Sequence, residues 1–308
     1  MTARGEVWLP RFVCPECSER VVTNGDDGFV CPACGAVFPR ERGILRFMPP
    51  GRTLSLEPFL RQYRAVRERD GFRESSPEYY RALPMVRRDD PRAAEWRVRR
   101  ESYTALQGRV LPAVWDGPTR ILDLGAGNCW LSHRLAASGH RVVAVDCLDD
   151  DVDGLGVYRH YPVAFVVVQG DFDALPFEPL QFEVVVLNGS LHYSLDPIAT
   201  LGGARAMLAP GGTIVVMDSP MFVTDSAGMA MLDAQRRRWA EADGNGAAPV
   251  QPGVGYLTFE LLKRAAGELG LRAEFFPSRG PLGWRIRREL GRIRLGRAPA
   301  AFGMWVAR

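Results

Sequence analysis

The sequence predicts an α/β fold on a parallel sheet, preceded by a cysteine-rich module and a stretch of helices. Three observations do so. Over residues 118 to 218, short apolar runs alternate with helical segments, and the runs end in acids or polar clusters. The first of these units reads Ile121-Leu-Asp-Leu-Gly-Ala-Gly-Asn-Cys-Trp130, then a helix over Leu131 to Gly139, then His-Arg-Val-Val-Ala-Val-Asp146. That is a β-α-β unit closing on a nucleotide-type site. Near the N-terminus, Cys14, Cys17, Cys31 and Cys34 form two Cys-x-x-Cys pairs.

The glycine turn indicates the chemistry at the strand ends. Gly125 and Gly127, with Ala126 between them, let the backbone pass close to a ligand, and the amides opening the next helix face it. Asp146 follows Gly127 by nineteen residues, where a carboxylate can accept two hydrogen bonds from a ribose diol. This much suits NAD and S-adenosylmethionine (SAM) alike. Two details favour SAM. Trp130 stands where a dinucleotide site needs its third glycine, and Asp123 puts a carboxylate where a cationic amino-acid ligand can use it.

The pattern resembles motif I of the class I SAM-dependent methyltransferases, over roughly residues 118 to 218 and more loosely to the C-terminus. The resemblance implies a Rossmann-like seven-stranded sheet. It also implies that Asp123, Gly125 and Gly127 serve the methionine end, Asp146 the ribose, and Asp171 with Phe172 the adenine. The chain departs from the family's G-x-G-x-G at its last glycine, which is Cys129 here.

Composition bounds the rest. At 308 residues the chain has room for one sizeable core plus a small appendage. No apolar run reaches the roughly 20 residues that span a bilayer, and no signal pattern opens the chain, so a soluble cytoplasmic protein is expected. Four of the six cysteines sit in the paired knuckles, while Cys129 and Cys147 fall in the predicted pocket, which suits a reducing compartment and a metal better than disulfides. Counting Lys, Arg, Asp and Glu, the net charge is 0 over residues 1–50, +4 over 51–117, −7 over 118–218 and +6 over 219–308. The acidic segment is the one expected to bind a sulfonium cation. Lys263 is the only lysine, so the abundance of arginine reflects a uniform preference over lysine and is no sign of nucleic-acid binding.

In chain order, residues 1–50 form the cysteine module. Two knuckles thirteen residues apart can offer four thiolates tetrahedrally to Zn2+, with Gly35 relieving the backbone after the second. The following Val37-Phe-Pro to Gly43-Ile-Leu-Arg-Phe47 resembles the tail of small zinc-ribbon proteins that partner methyltransferases, and more distantly the ribbon of certain rRNA guanine methyltransferases. Such a ribbon has almost no hydrophobic core, so metal binding, on the order of 10 kcal/mol or more, supplies its folding energy. It is read first as a folded cap on the catalytic domain.

Met48-Pro-Pro-Gly51 ends the ribbon. Residues 51–117 form a helical linker or cap, helical from Leu54 to about Gly71 and from Pro77 to Gly108 with breaks at Pro84 and Pro91. Its aromatics Phe59, Tyr63, Tyr79, Tyr80, Trp96 and Tyr103 are read as core and lid packing.

Residues 118–308 form the SAM-binding domain. A third strand over Val163 to Gln169 runs into Gly170-Asp171-Phe172, and a fourth over Phe182 to Leu187 opens into Asn188-Gly-Ser-Leu-His192-Tyr193. After a helix over Ile198 to Leu208 and a Pro-Gly-Gly turn, a fifth strand covers Thr213 to Met217. A helix over Ser226 to Ala242, a Gly/Pro-rich linker over Asp243 to Gly255, a helix capped by Thr258, and a closing pair over Leu271–Phe276 and Ala300–Val306 complete the chain. Between that pair, the arginine-rich stretch Arg285 to Arg294 carries Ile286, Leu290 and Ile293 at helical spacing, as an amphipathic surface helix would.

Methyl transfer from a sulfonium asks the protein to hold nucleophile and methyl in line and to exclude water. If the acceptor must lose a proton, His192 is the candidate base, sharing the claim with Tyr193, and packing is its alternative role. Asp123, Gly125, Ala126, Gly127, Asp146, Cys147, Asp171, Phe172 and Asn188 are the candidate cofactor residues. The leading function is SAM-dependent methyl transfer to a small or lipid-linked metabolite. The alternatives are an RNA base methyltransferase whose ribbon reads the substrate, and a catalytically silent cofactor-binding subunit. The neutral ribbon and acidic cofactor segment weigh against RNA. The acceptor and the oligomeric state are not legible.

Overall fold

The computed structural model of the protein describes residues 8–72, 76–114, 116–243, 253–278, 280, 282, 286 and 298–308. The arginine-rich stretch expected over 285–294 lies outside the described residues except for Ile286, and the linker over 243–255 is described only at its two ends.

The cysteine module carries four short strands, β1 (Val22–Thr23), β2 (Gly28–Val30), β3 (Val37–Glu41) and β4 (Ile44–Arg46), paired as antiparallel neighbours. Its core differs from the expectation of almost none. Phe12, Phe29, Phe38 and Phe47 are all buried, and Phe47 stacks between Phe12 and Phe38 at ring separations of 4.8 and 4.6 Å. This cluster continues through Phe177 and Phe182 into the main core, so the ribbon's apolar side chains are buried against the larger domain. Turn residues scatter these rings along the sequence, and no periodicity reveals them.

The cap consists of α1 (Pro50–Arg69), α2 (Pro77–Ala82), α3 (Ala93–Ala105), a π-helical stretch over Leu106–Val110 and α4 (Leu111–Val114). Ser76 caps α2 by accepting from the Tyr79 N–H at 3.3 Å. Tyr80, Leu83, Trp96 and Leu106 are buried against the sheet's second face.

The doubly wound core follows in order: β5 (Arg120–Leu124), α5 (Trp130–Ala137), β6 (Arg141–Asp146), β7 (Val166–Gln169), β8 (Phe182–Asn188), α6 (Pro197–Met207), β9 (Leu208–Met217), β10 (Met221–Phe222), α7 (Asp225–Asp243), β11 (Leu257–Thr258), α8 (Phe259–Glu268), β12 (Ala273–Pro277) and β13 (Gly303–Ala307). The central strands run β7-β6-β5-β8-β9-β13-β12, all parallel except β13, which runs antiparallel to both neighbours. These are the seven strands expected, including the antiparallel closing pair. Alternate residues of one strand feed opposite cores: Val143 and Val145 of β6 face one cluster, Val142 and Ala144 the other. The chain leaves β5 towards β6 and β7, then returns to place β8 on β5's other side, so a crevice opens at the carboxyl ends of β5 and β8.

Two boundaries differ from expectation. β9 begins at Leu208, because Leu208 already pairs with Phe182 across an irregularity and the Pro-Gly-Gly turn lies within the strand. The ribbon also joins the sheet: β4 pairs in parallel with β7, Leu45 opposite Val168 and Arg46 opposite Gln169, extending the sheet to eleven strands among the described residues.

Candidate functional site

A cavity of about 320 Å³ opens at the carboxyl ends of β5, β6, β7 and β8 beneath α1 and α3. The size falls in the range of small-ligand sites. Its floor is the glycine turn. Gly125 has φ +75°, and a Cβ there would stand 2.3 Å from the Ser190 Cβ, so only glycine fits. Gly127, at φ +53°, also takes the left-handed conformation, and its N–H donates to Asp146 Oδ2 at 2.8 Å. The other carboxylate oxygen, Oδ1, accepts from the Leu148 N–H at 2.8 Å. Asp146 is thereby held by two backbone amides, with lone pairs left on both oxygens for a diol. Burial raises its pKa, opposed by those two amides.

Cys129 takes the place of the third motif glycine in the left-handed region, φ 60° and ψ 21°, at the N-cap of α5. Its buried thiol lies 3.6 Å from the Gly127 carbonyl oxygen. The side chain thus fits behind the turn, in a conformation costly for a residue with a Cβ.

Most of the expected site residues converge here. Gly125, Ala126, Gly127, Asp146, Cys147, Asp171, Phe172, Asn188 and Tyr193 all line the cavity. Asp123 and His192 are not among the lining residues. Asp123 is fully buried, with Oδ2 accepting from the Ser132 hydroxyl at 2.6 Å and Oδ1 unpartnered, and burial pushes its carboxyl up to about 7. His192 lies 3.2 Å from the Ser219 hydroxyl through Nδ1, and burial lowers it to about 4, so its imidazole is neutral at physiological pH. Asp171 lines the cavity in an ion pair with Arg52, a partner the sequence did not suggest for an adenine ligand.

The cap supplies the residues that motif reasoning missed. Arg52, Ser55, Leu56, Phe59, Leu60, Tyr63 and Arg67 occupy one face of α1, and Trp96 and Arg99 come from α3. Their three- and four-residue spacing on α1 was the available signal. Arg67 grips Asp153 through Nε at 2.5 Å and Nη2 at 2.9 Å. With Arg64 near Asp150 at 3.4 Å and the Arg52–Asp171 pair, α1 is tied to the sheet ends by ion pairs.

At the ribbon, the four cysteine sulfurs lie within 4.8 Å of one another, with Cys14–Cys34 and Cys17–Cys34 at 3.7 Å and Cys17–Cys31 at 3.5 Å. A tetrahedral Zn–S distance near 2.3 Å puts thiolates about 3.8 Å apart, which this cluster matches. The two knuckles turn alike: Ser18 N–H donates to the Cys14 carbonyl and Gly35 N–H to the Cys31 carbonyl, at 2.8 and 2.9 Å, with both residues at positive φ. Backbone amides of Cys34 and Ala33 help lower the Cys31 thiol to about 7, towards the thiolate a metal needs. Arg46, next to the ribbon's last ring, reaches Asp149 at 2.5 Å and the Gln169 side-chain oxygen at 2.9 Å, and Gln169 in turn donates to the Cys147 carbonyl at 3.2 Å.

Residues 122–216 match a family described as a methyltransferase domain. This segment is a class I methyltransferase domain. The chain is similar to two named methyltransferases over part of its length. Malonyl-[acyl-carrier protein] O-methyltransferase of Hahella chejuensis is 27% identical over 162 residues, 51% of this chain and 52% of that protein. Demethylmenaquinone methyltransferase of Mycobacterium sp. (strain KMS) is 36% identical over 107 residues, 34% of this chain and 44% of that protein. The chain thus spans about half the length, or less, of these relatives. A solved structure from Galdieria sulphuraria, assigned as a sarcosine dimethylglycine methyltransferase, shares the methyltransferase fold at a TM-score of 0.50 and 14% identity, covering 80% of this chain and 97% of its own. No helix among the described residues is long and apolar enough to cross a membrane.

Proposed function

We propose that the protein is a SAM-dependent methyltransferase acting on a small or lipid-linked acceptor, with Zn2+ held in its ribbon by Cys14, Cys17, Cys31 and Cys34. The observation that carries the reading is the Asp146 carboxylate, anchored by the Gly127 and Leu148 amides at the mouth of the β5–β8 crevice with acceptor capacity to spare. The two named relatives act, by their names, on an acyl-carrier-protein-linked malonyl group and on a demethylmenaquinone, which supports a small or lipid-linked acceptor.

Asp146 would receive the ribose hydroxyls. Cys147 and Phe172 would wall the adenine, and the turn at Gly125 to Gly127 would carry the methionine end. SAM, when bound, supplies an electrophilic methyl group. The chain's part is to align the acceptor's lone pair behind that methyl and keep water out, which the aromatic face of α1 over the cavity suits. Tyr193 reaches the cavity and is the better placed of the two candidate catalytic residues. His192 would position the turn that carries it.

We divide the chain into a ribbon at 1–50, a helical cap at 51–117 and the cofactor-binding domain at 118–308. Calorimetry with S-adenosylhomocysteine, SAM and NAD tests the central reading. Saturable binding of the two sulfur nucleosides with no NAD binding is expected, and preferential NAD binding would overturn it.

A further inference from the structure

α3 lines two cavities that have no residue in common. The second, of about 580 Å³, lies between the carboxyl half of α3, the π-helical stretch over Leu106–Val110 and the end of β12, and its size suits a small ligand. Arg100 and Glu101 reach it from α3, and Arg109 from the π-helical stretch. Nine residues separate the two arginines, about two and a half turns of a regular α-helix, which would set them on opposite faces. The wider turn of the π-helical stretch brings Arg109 round to the cavity that Arg100 lines, and such bulges are frequent at functional sites.

Neither guanidinium has a hydrogen bond or ion pair among the described residues. The hydroxyl protons around them are spent. Thr104 donates to the Arg100 carbonyl at 2.8 Å, and Ser102 donates to Asp218 at 2.6 Å, which leaves Ser278 to donate to Ser102 at 2.7 Å. Arg100 and Arg109 are therefore the side-chain donors open to a ligand. Glu101 is the one acid among the described lining residues, and its Oε2 already accepts the Gly280 N–H at 2.9 Å. Two cations against one carboxylate favour an anion here, whereas the cavity beneath α1 carries four aspartates against three arginines. One guanidinium fork is enough for a carboxylate, and two match the oxygens of a phosphate. Phe276, Pro277 and Ala105 add an apolar wall beside them.

We propose that this second cavity is a binding site for a small phosphate monoester, with the phosphate on Arg100 and Arg109 and the apolar body of the ester against Phe276 and Pro277. The site goes beyond the methyl-transfer reading and does not depend on it.

The test titrates phenyl phosphate into the full-length, zinc-loaded protein by calorimetry, with and without saturating S-adenosylhomocysteine. Saturable binding is expected, tighter than that of inorganic phosphate and the same whether or not S-adenosylhomocysteine is present. Arg100→Gln and Arg109→Gln each weaken it by about tenfold, and both residues are exposed, so the variants fold. Glu101→Gln tightens it by removing a like charge. Arg97→Gln, an exposed arginine of α3 that does not line the cavity, leaves it unchanged. Four results overturn the proposal: no saturable binding, phenyl phosphate no tighter than inorganic phosphate, displacement by S-adenosylhomocysteine, or a loss in Arg97→Gln equal to that in Arg100→Gln. Should S-adenosylhomocysteine itself not bind, the cofactor reading falls, and the titration of the free protein with its variants still decides this site.

Discussion

Replacing Asp146 by Ala is the most direct probe of the cofactor site, and its size follows from the hydrogen bonds in place. Each carboxylate oxygen already accepts one backbone amide, from Gly127 and from Leu148, and would accept one ribose hydroxyl besides. Two charge-assisted bonds to the diol, taken at about 1.5 kcal/mol each, correspond to about 3 kcal/mol, or roughly a hundredfold in affinity. The substitution also strips the Gly127 and Leu148 amides of their partner, so the glycine turn loosens and the loss should not fall below tenfold. Calorimetry with S-adenosylhomocysteine measures it, and a thermal melt on the same sample separates lost affinity from lost fold. Asp146→Asn is the sharper variant, because an amide nitrogen must then face either the Gly127 or the Leu148 N–H, donor against donor. A folded Asp146→Ala protein that binds S-adenosylhomocysteine as the wild type does would refute the assignment of the ribose site.

Three further outcomes are expected. Purified protein should hold one equivalent of zinc by metal analysis, and its removal should unfold the ribbon, read as a lowered melting temperature; no zinc with all four thiols free would count against the site. Asp123→Asn should stabilise the protein above pH 7 by at most about 4 kcal/mol, because the wild-type carboxyl sits at about 7 in the fold and near 4 unfolded. Since the folded state holds that proton more tightly, the Asp123 contribution falls as pH rises from about 4 to about 7, and melts of wild type and variant should converge towards pH 4. His192, lowered to about 4 by burial, should stay neutral in an NMR titration down to about pH 5, and a midpoint near 6.5 would show that its ring is not buried as described.

The strand-end wall of the cavity was largely legible in the sequence, because it is built from backbone conformation and from acids at strand ends. Gly125, Gly127, Asp146 and Asp171 stand at fixed distances from apolar runs, and parallel strands leave such runs unmistakable. Asp123 and His192 were placed by the same reasoning and lie off the cavity wall, since a strand's pleat and a short turn decide which of two adjacent side chains faces the ligand. The cap was harder. Helical spacing marks a buried face on α1 without saying whether a core or a ligand covers it, so Tyr63 read as core and lid packing and Arg52 and Arg67 carried no signal of their own. The join between β4 and β7 was invisible because three-residue strands have too little pattern to announce a partner more than a hundred residues away.

That join has a consequence for how the chain comes to be folded. β7 would otherwise be the outermost parallel strand, with a row of unsatisfied amides and carbonyls open to any other chain. The strand that covers it, β4, belongs to the ribbon, whose four cysteines are proposed above to hold Zn2+. With the ribbon held by that metal, the loading of the four thiolates would bear on whether a sticky edge is covered. A chain whose ribbon is not formed would present β7 to its neighbours, and association would then precede any question of binding a nucleoside.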